Sequence, residues 1–361
     1  MNGRFQRQSL VAQVAAGVAS GLRAKEWRGR LPAERELCVR LGVSRPILRA
    51  ALSILCRKGL LRPVARQGIF IAPYASGARW KSANRVIGVL TSNPLHALPS
   101  QLQLLIRGIE HHLHVAGFEL LVNVMVCQRG RSITKRLEEL VSSNRAASWV
   151  LCSVTREIQA WFMRRHIPAL VMGSCYPGMN LVEFDVDYEA VCRHAAATLL
   201  RLGHRRIAML TLKTKFAGDL LGEQGFISAF QCGSWPGSLP RILYHDGSVP
   251  NIRRVLEPAL TRPDAPTAFL VSHPYHALTL AGYLAQKGLR VPNDVSVICR
   301  DDDDFLDWYL PPIARYKVDD DLYALRSVRA LIRLATGERC LRRLTPIPSQ
   351  FIPGGTVAPP A

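Results

Sequence analysis

The chain has 361 residues, 48% of them hydrophobic and 20% charged, a globular composition with length for two or three domains and none of the marks of wholesale disorder. Its 47 Lys and Arg against 27 Asp and Glu give +20 at pH 7 and a pI near 10.2, so an acidic partner is expected, nucleic acid or a membrane surface. No run of about 18 apolar residues occurs, which argues against a membrane span. The nine cysteines are odd in number and form no C-x-x-C pair, which speaks against a disulfide framework or a zinc ribbon and for reduced thiols in a cytoplasm.

The charge is concentrated. Residues 1–84 carry 16 basic and three acidic side chains, a balance of +13; residues 85–361 carry 31 against 24, a balance of +7. A basic end on a nearly balanced body suggests a nucleic-acid module joined to a larger unit. Leu10, Val11, Val14, Val18 and Leu22 recur at helical spacing. With Gln13 interrupting the apolar run, they read as an amphipathic first helix rather than a signal peptide.

Pro32, Glu34 and Glu36 favour the start of a second helix, Leu37 and Leu41 mark its buried side, and Gly42 stops it. Ser44 is placed to cap a third helix over 45–58, with Leu48, Ala51, Leu52 and Leu55 as its core stripe. Two β-prone stretches, 60–64 and 69–72, turn around Ala65-Arg66-Gln67-Gly68. The order is that of a winged helix-turn-helix. The first turn of such a third helix points into the major groove of double-stranded DNA. Arg45 and Arg49 are four apart and share the face opposite the Leu stripe, where an Arg fork suits guanine O6 and N7 or a phosphate. Arg66, Gln67 and Gly68 stand at the wing tip. A solvated basic face on a plain helix pair is the alternative.

The string L-P-A-E-R-E-L…L-G-V-S-R…L-R-A-A-L…G-L-L…Q-G-I-F-I-A resembles the GntR-type winged-helix DNA-binding domain over nearly all of residues 8–73. The resemblance implies DNA contacts at Arg35, Ser44, Arg45, Arg49 and Gly68. Ile47 falls where that family often has a polar residue, and it is suited to a thymine methyl.

Residues 75–84 are small, polar and basic and read as a linker, so that 1–74 form the DNA-binding domain and 85–361 the body. From Val86 the pattern alternates. Strands are expected at 86–90, 118–126, 149–154, 167–172, 207–212, 268–272 and 295–299. Helices are expected around 102–113, 132–143, 274–287 and 320–335, with others between the strands. Such βαβ repetition implies parallel sheets flanked by helices, and more than 250 residues of it imply two lobes with a ligand cleft beyond the carboxyl ends of the strands. The fold class is α/β.

R-V-I-G-V-L, I-P-A-L-V-M-G-S, V-E-F-D-V-D-Y-E-A, L-L-R-L-G-H-R-R-I-A-M-L, E-Q-G-F-I-S-A-F and G-L-R-V-P-N-D-V-S-V-I-C-R-D-D resemble the effector-binding domain of the lactose/galactose-repressor (LacI/GalR-like) family, itself similar to type I periplasmic-binding proteins, over about residues 85–353. The resemblance implies two Rossmann-like lobes with three crossovers, a homodimer formed through the lobes, and a small-molecule effector of the carbohydrate kind in the cleft. Gly222 stands where that family usually has a sugar-gripping Arg, and His273-Pro274 where it usually has Asn-Asp. Asn93, His96, Ser153, Ser174, Gly222, Glu223, His273 and Asp301 are the candidate effector contacts.

Asp301 to Asp304 are consecutive and lack EF-hand spacing, and His111, His112 and His114 lack i,i+4 spacing, so no metal ligand is assigned. No G-x-S-x-G, H-E-x-x-H or Walker A motif occurs, and no catalytic residue or cofactor is assigned. The sequence reads as a cytoplasmic, sequence-specific transcriptional regulator, a repressor by family habit. A solute-binding protein without a DNA role, or a regulator whose body serves only to dimerise, are the alternatives.

Overall fold

The computed structural model describes residues 10–23, 26–27, 29–57, 60–64, 68–71, 85–125, 132–213, 216–233, 235–338, 340–341 and 345–360. The expected linker 75–84 and the wing-tip residues Arg66 and Gln67 lie outside these.

Three helices open the chain: α1 (Leu10–Arg23), α2 (Glu34–Leu41) and α3 (Arg45–Arg57). Gly42, at φ 63°, ends α2 because the left-handed turn there costs a residue without Cβ least; its N–H reaches Val39 O and the next N–H reaches Cys38 O at 3.1 Å. The apolar stripes read from the sequence close one core, in which Val14, Val18, Leu22, Leu37, Leu48, Leu52 and Leu55 are buried together. The hairpin β1 (Leu61–Val64) and β2 (Gly68–Ile71) pairs antiparallel, Leu61 opposite Ile71. It is tied back to the segment before α2 by Leu31 N–H to Ile69 O and Ile71 N–H to Gly29 O, both 2.9 Å. This is a winged helix-turn-helix.

The first lobe of the body is a five-stranded parallel sheet in the order β4 (Glu119–Val124), β3 (Val86–Thr91), β5 (Ser148–Cys152), β6 (Ala169–Met172), β7 (Val182–Phe184). Helices α4 (Ser100–Val115) and α11 (Asp320–Ala335) cover one face; α5 (Ser132–Asn144) and α6 (Arg156–Arg164) cover the other. The central strand β5 is buried at every position, its apolar residues 149–152 following Ser148, whose hydroxyl donates to Leu331 O at 3.0 Å. It stops at Cys152, short of the expected 154, because Ser153 turns into the left-handed region at φ 48°.

The second lobe has six strands, β13 (Ser349–Ile352), β12 (Ala314–Val318), β11 (Ser296–Cys299), β10 (Ala268–Val271), β8 (Arg206–Leu212) and β9 (Leu239–His245), parallel except for the antiparallel β13 edge. Helices α7 (Tyr188–Arg201) and α8 (Ala217–Gln231) pack on one face, α9 (Val249–Leu260) and α10 (Pro274–Gln286) on the other. Gly225 lets α7 and α8 approach closely, since a Cβ there would sit 2.0 Å from Glu189 O.

The chain passes between lobes three times: after β7 into α7, after β12 into α11, and before β13, where Ile347 N–H bonds Asp185 O at 3.1 Å beside the first crossing. Strands β7, β9, β12 and β13 were not among the expected ones. β7 is only three residues long, and Lys317 and Gln350 break the apolar pattern of β12 and β13.

Candidate functional site

Two surfaces carry chemistry. The first is the outer face of α3. Ser44, Arg45 and Arg49 are exposed there, and the Ser44 carbonyl accepts the first intrahelical bond from Leu48 N–H at 3.0 Å. Arg45 has no ion-pair partner among the described residues, while Arg49 Nε donates to Glu34 Oε2 at 2.9 Å across the helix-turn-helix. Arg35 is exposed on α2, and Gly68 is exposed where the chain re-enters the hairpin. Ile47 is only half-exposed and packs against the domain core, so much of its apolar surface is used inside.

The second surface is the cleft between the lobes of the body. Carboxyl ends of strands from both lobes surround a cavity of about 230 Å³. Of the expected residues, Ser153, Ser174, His273 and Asp301 line it. Asn93, His96, Gly222 and Glu223 do not. Asn93 and His96 are exposed, in the turn after β3 that runs through a short 3-10 segment toward α4. Glu223 accepts from the hydroxyl of Tyr244, on the edge strand β9, at 2.8 Å. That contact draws it to a side of α8 away from the cavity. Gly222 lies under the wall: a Cβ on it would sit 3.2 Å from Cys192 Sγ and 3.5 Å from an Arg300 terminal nitrogen. The tighter of these neighbours is Cys192, on α7, so the missing side chain lets α7 and α8 pack closely at this point.

Arg300 is the centre of that wall, and the sequence reading passed over it. Its side chain is 3% exposed. The guanidinium donates to Asp219 Oδ1 at 2.8 Å and, as a fork, to both oxygens of Asp301 at 3.0 Å, and it lies 4.3 Å from the centre of the Tyr188 ring. Burial works against the Asp301 anion, yet Arg300 and His273 hold its carboxyl well below the usual carboxylate range. His273 N-caps α10 by position, and its Nδ1 stands 3.2 Å from Asp301 Oδ2. The next aspartate, Asp302, pairs with Arg315 and Lys317 instead.

Opposite, at the first crossing, Asp185 accepts from the Ser174 hydroxyl and from Val186 N–H, both 2.8 Å. Burial pushes its carboxyl up to about 7 against the pull of those two donors. Across the mouth, the Ser100 hydroxyl of α4 and the Tyr275 hydroxyl of α10 stand 2.7 Å apart, a direct bond between lobes. Behind His273, His245 and His276 pack edge to face at 4.3 Å, and burial lowers them to about 4 and about 3. They are neutral at pH 7.

Residues 11–71 match the model of bacterial regulatory proteins of the gntR family, and residues 196–357 match that of a periplasmic binding protein-like domain. The chain is 26% identical over 286 residues to the arabinose metabolism transcriptional repressor of Geobacillus stearothermophilus, covering 76% of each chain. It is 27% identical over 267 residues to the lactose operon repressor of Escherichia coli (strain K12), covering 70% of this chain and 69% of that one. The body shares its fold with the crystal structure of a LacI-type putative transcriptional regulator from Bacillus cereus subsp. cytotoxis NVH 391-98. There the TM-score is 0.69 at 20% identity, over 77% of this chain and 99% of that one.

Proposed function

We propose that the chain is a DNA-binding transcriptional regulator whose gntR-like and periplasmic binding protein-like domains divide the work. Residues 1–74 read operator DNA, 75–84 form the joint, and 85–361 bind the effector and dimerise. Arg45 reads a base edge, Arg35, Ser44 and Arg49 hold phosphates, and Arg66, Gln67 and Gly68 bring the wing to the backbone or a neighbouring groove. A homodimer in the cytoplasm sets two α3 helices in successive major grooves, roughly 34–36 Å apart.

The effector is a small molecule held between the lobes. Ser153, Ser174, His273 and Asp301 contact it, joined by Asp185 and Tyr275. The observation that carries this reading is the lined cavity between two lobes that the chain crosses three times. Occupying it changes the angle between lobes, and the shift in operator affinity equals the effector's preference for one arrangement over the other. Its action on the operator is repression, the role that the names of its arabinose and lactose relatives state for those proteins.

Fluorescence anisotropy on the chain's own upstream DNA and on random duplex, across a salt series, tests the reading. Binding to the upstream DNA that survives salt sufficient to strip random duplex is expected. Equal and steeply salt-sensitive binding to both would refute sequence-specific reading of that DNA. Sedimentation of the full chain at the same concentrations is expected to give a dimer.

A further inference from the structure

Six aspartates line the cavity, against one arginine and one histidine, in a protein whose overall charge is +20. The cations are already engaged. Arg300 spends three of its donors on Asp219 and Asp301 and lays its face near Tyr188. His273 adds to Asp301. Asp302 is matched by Arg315 and Lys317. Asp185, Asp303 and Asp320 remain, and none of the three has an ion-pair partner among the described residues. The rest of the wall offers aromatic faces, with Phe216, Tyr275 and Tyr323 among the lining.

From this arrangement, and resting on the reading of the cleft as the effector site, we infer that the effector is a small amine-bearing molecule, taken up as its ammonium form. Unpaired carboxylates and the negative faces of aromatic rings both attract a cation and both repel an anion. An anionic ligand, a sugar acid or a phosphate ester, would find only the two Arg300 N–H donors left over from Asp219 and Asp301, and it would face the repulsion of both those carboxylates there. The volume limits the size: about 230 Å³ lies below the roughly 300–1,000 Å³ of pockets for drug-sized ligands. The titration of the wall agrees. Burial raises the carboxyls of Asp185 and Asp320 despite the pull of Arg300 on the first and Lys317 on the second, so a bound ammonium would stabilise their anionic forms. The three acids come from three places: Asp185 from the first crossing, Asp303 from the loop after β11, and Asp320 from the first turn of α11. An ammonium among them would touch both lobes and favour their closed arrangement.

Matched probes on one scaffold test this with the full chain. Glucosamine, glucose and glucuronate, with 1,4-diaminobutane and succinate as a second set, are titrated by calorimetry, and the same samples are assayed on upstream DNA. The amines are expected to bind at least about tenfold tighter than the acids, with glucose between. In the Asp303→Asn/Asp320→Asn variant, which leaves the Arg300 cluster intact, the margin between amine and acid is expected to shrink severalfold. Acids or glucose binding as well as the amines, no amine binding at millimolar concentration, or an unchanged margin in the variant would each overturn the inference. Any of these results beside intact binding to upstream DNA strikes the effector class alone. Loss of specific DNA binding as well would strike the parent reading.

Discussion

Arginine does two different jobs in the two halves of this molecule. On α3, Arg45 is exposed without an ion-pair partner among the described residues and Arg49 keeps 68% of its side chain in water beside one surface carboxylate. In the body, Arg300 of the cleft wall is 3% exposed and Arg315 of β12 is 2% exposed, each tied to two aspartates. The first pair is left available to a partner that brings its own negative charge. The second pair is spent within the fold, where it fixes the acids that shape the cavity. Net charge therefore describes the DNA-reading end well and misdescribes the cleft.

Breaking the buried half should have the largest effect. Arg300→Ala leaves Asp219 and Asp301 buried without their counter-charge, and a loss of about 3–5 kcal/mol is expected in urea unfolding. A loss below about 1 kcal/mol would mean that water reaches the pair and that the wall is open.

A smaller effect, of known sign, belongs to Asp185. Its carboxyl is raised in the folded state to about 7 from an ordinary 3.8, so its contribution to stability is present below pH 4 and is lost as pH rises through 7. His245 and His276 are lowered by burial and run the other way, losing stability as pH falls below 6.5. Asp185→Asn removes the opposing member. Its stability is expected to rise with pH between about 4 and 7 more steeply than the parent's, by about 1.4 kcal/mol per pH unit at most. Parallel unfolding curves for the two proteins would show that Asp185 is solvated.

The same contrast explains what could be read from the sequence. The DNA-binding end was legible almost entirely, because its signals are local: Gly42 ends a helix, Ser44 precedes one, and Arg45 and Arg49 share a face by spacing alone. In the body, the alternation of strands and helices gave the α/β class. The rule that ligands sit past strand ends pointed to Ser153, Ser174, His273 and Asp301, and these four line the cavity. That rule cannot tell which way a loop then turns, and Asn93, His96 and Glu223 lie outside the cavity lining. Arg300 was hidden because its partner Asp219 is 81 residues away, and between Cys299 and four aspartates it looked like part of an acidic run. The one available clue was Gly222, a missing side chain on a helix that faces the cleft wall. Asp185 was quoted in a motif, yet only the crossing between lobes turns it toward the cavity.

The exposed half should respond in binding rather than in folding. Arg45→Ala is expected to weaken specific DNA binding by about 1–3 kcal/mol and to leave random duplex nearly unchanged, as a base contact does. An equal loss on both would make Arg45 a phosphate contact.

Arg49→Ala is the most delicate case, because Arg49 already holds Glu34. An exposed pair of this kind contributes no more than about 1 kcal/mol to stability, so the thermal midpoint should barely move. The DNA effect has two parts. Removing the guanidinium takes away a phosphate contact, which lowers the salt slope by about one on any sequence. It also frees Glu34, whose negative charge then faces the phosphates. Glu34→Gln separates these parts, since it keeps Arg49 and removes the repulsion. If Arg49 leaves Glu34 for the DNA, Glu34→Gln binds operator more tightly than the parent. If the pair stays closed on DNA, Glu34→Gln is neutral and Arg49 acts only by holding α2 to α3.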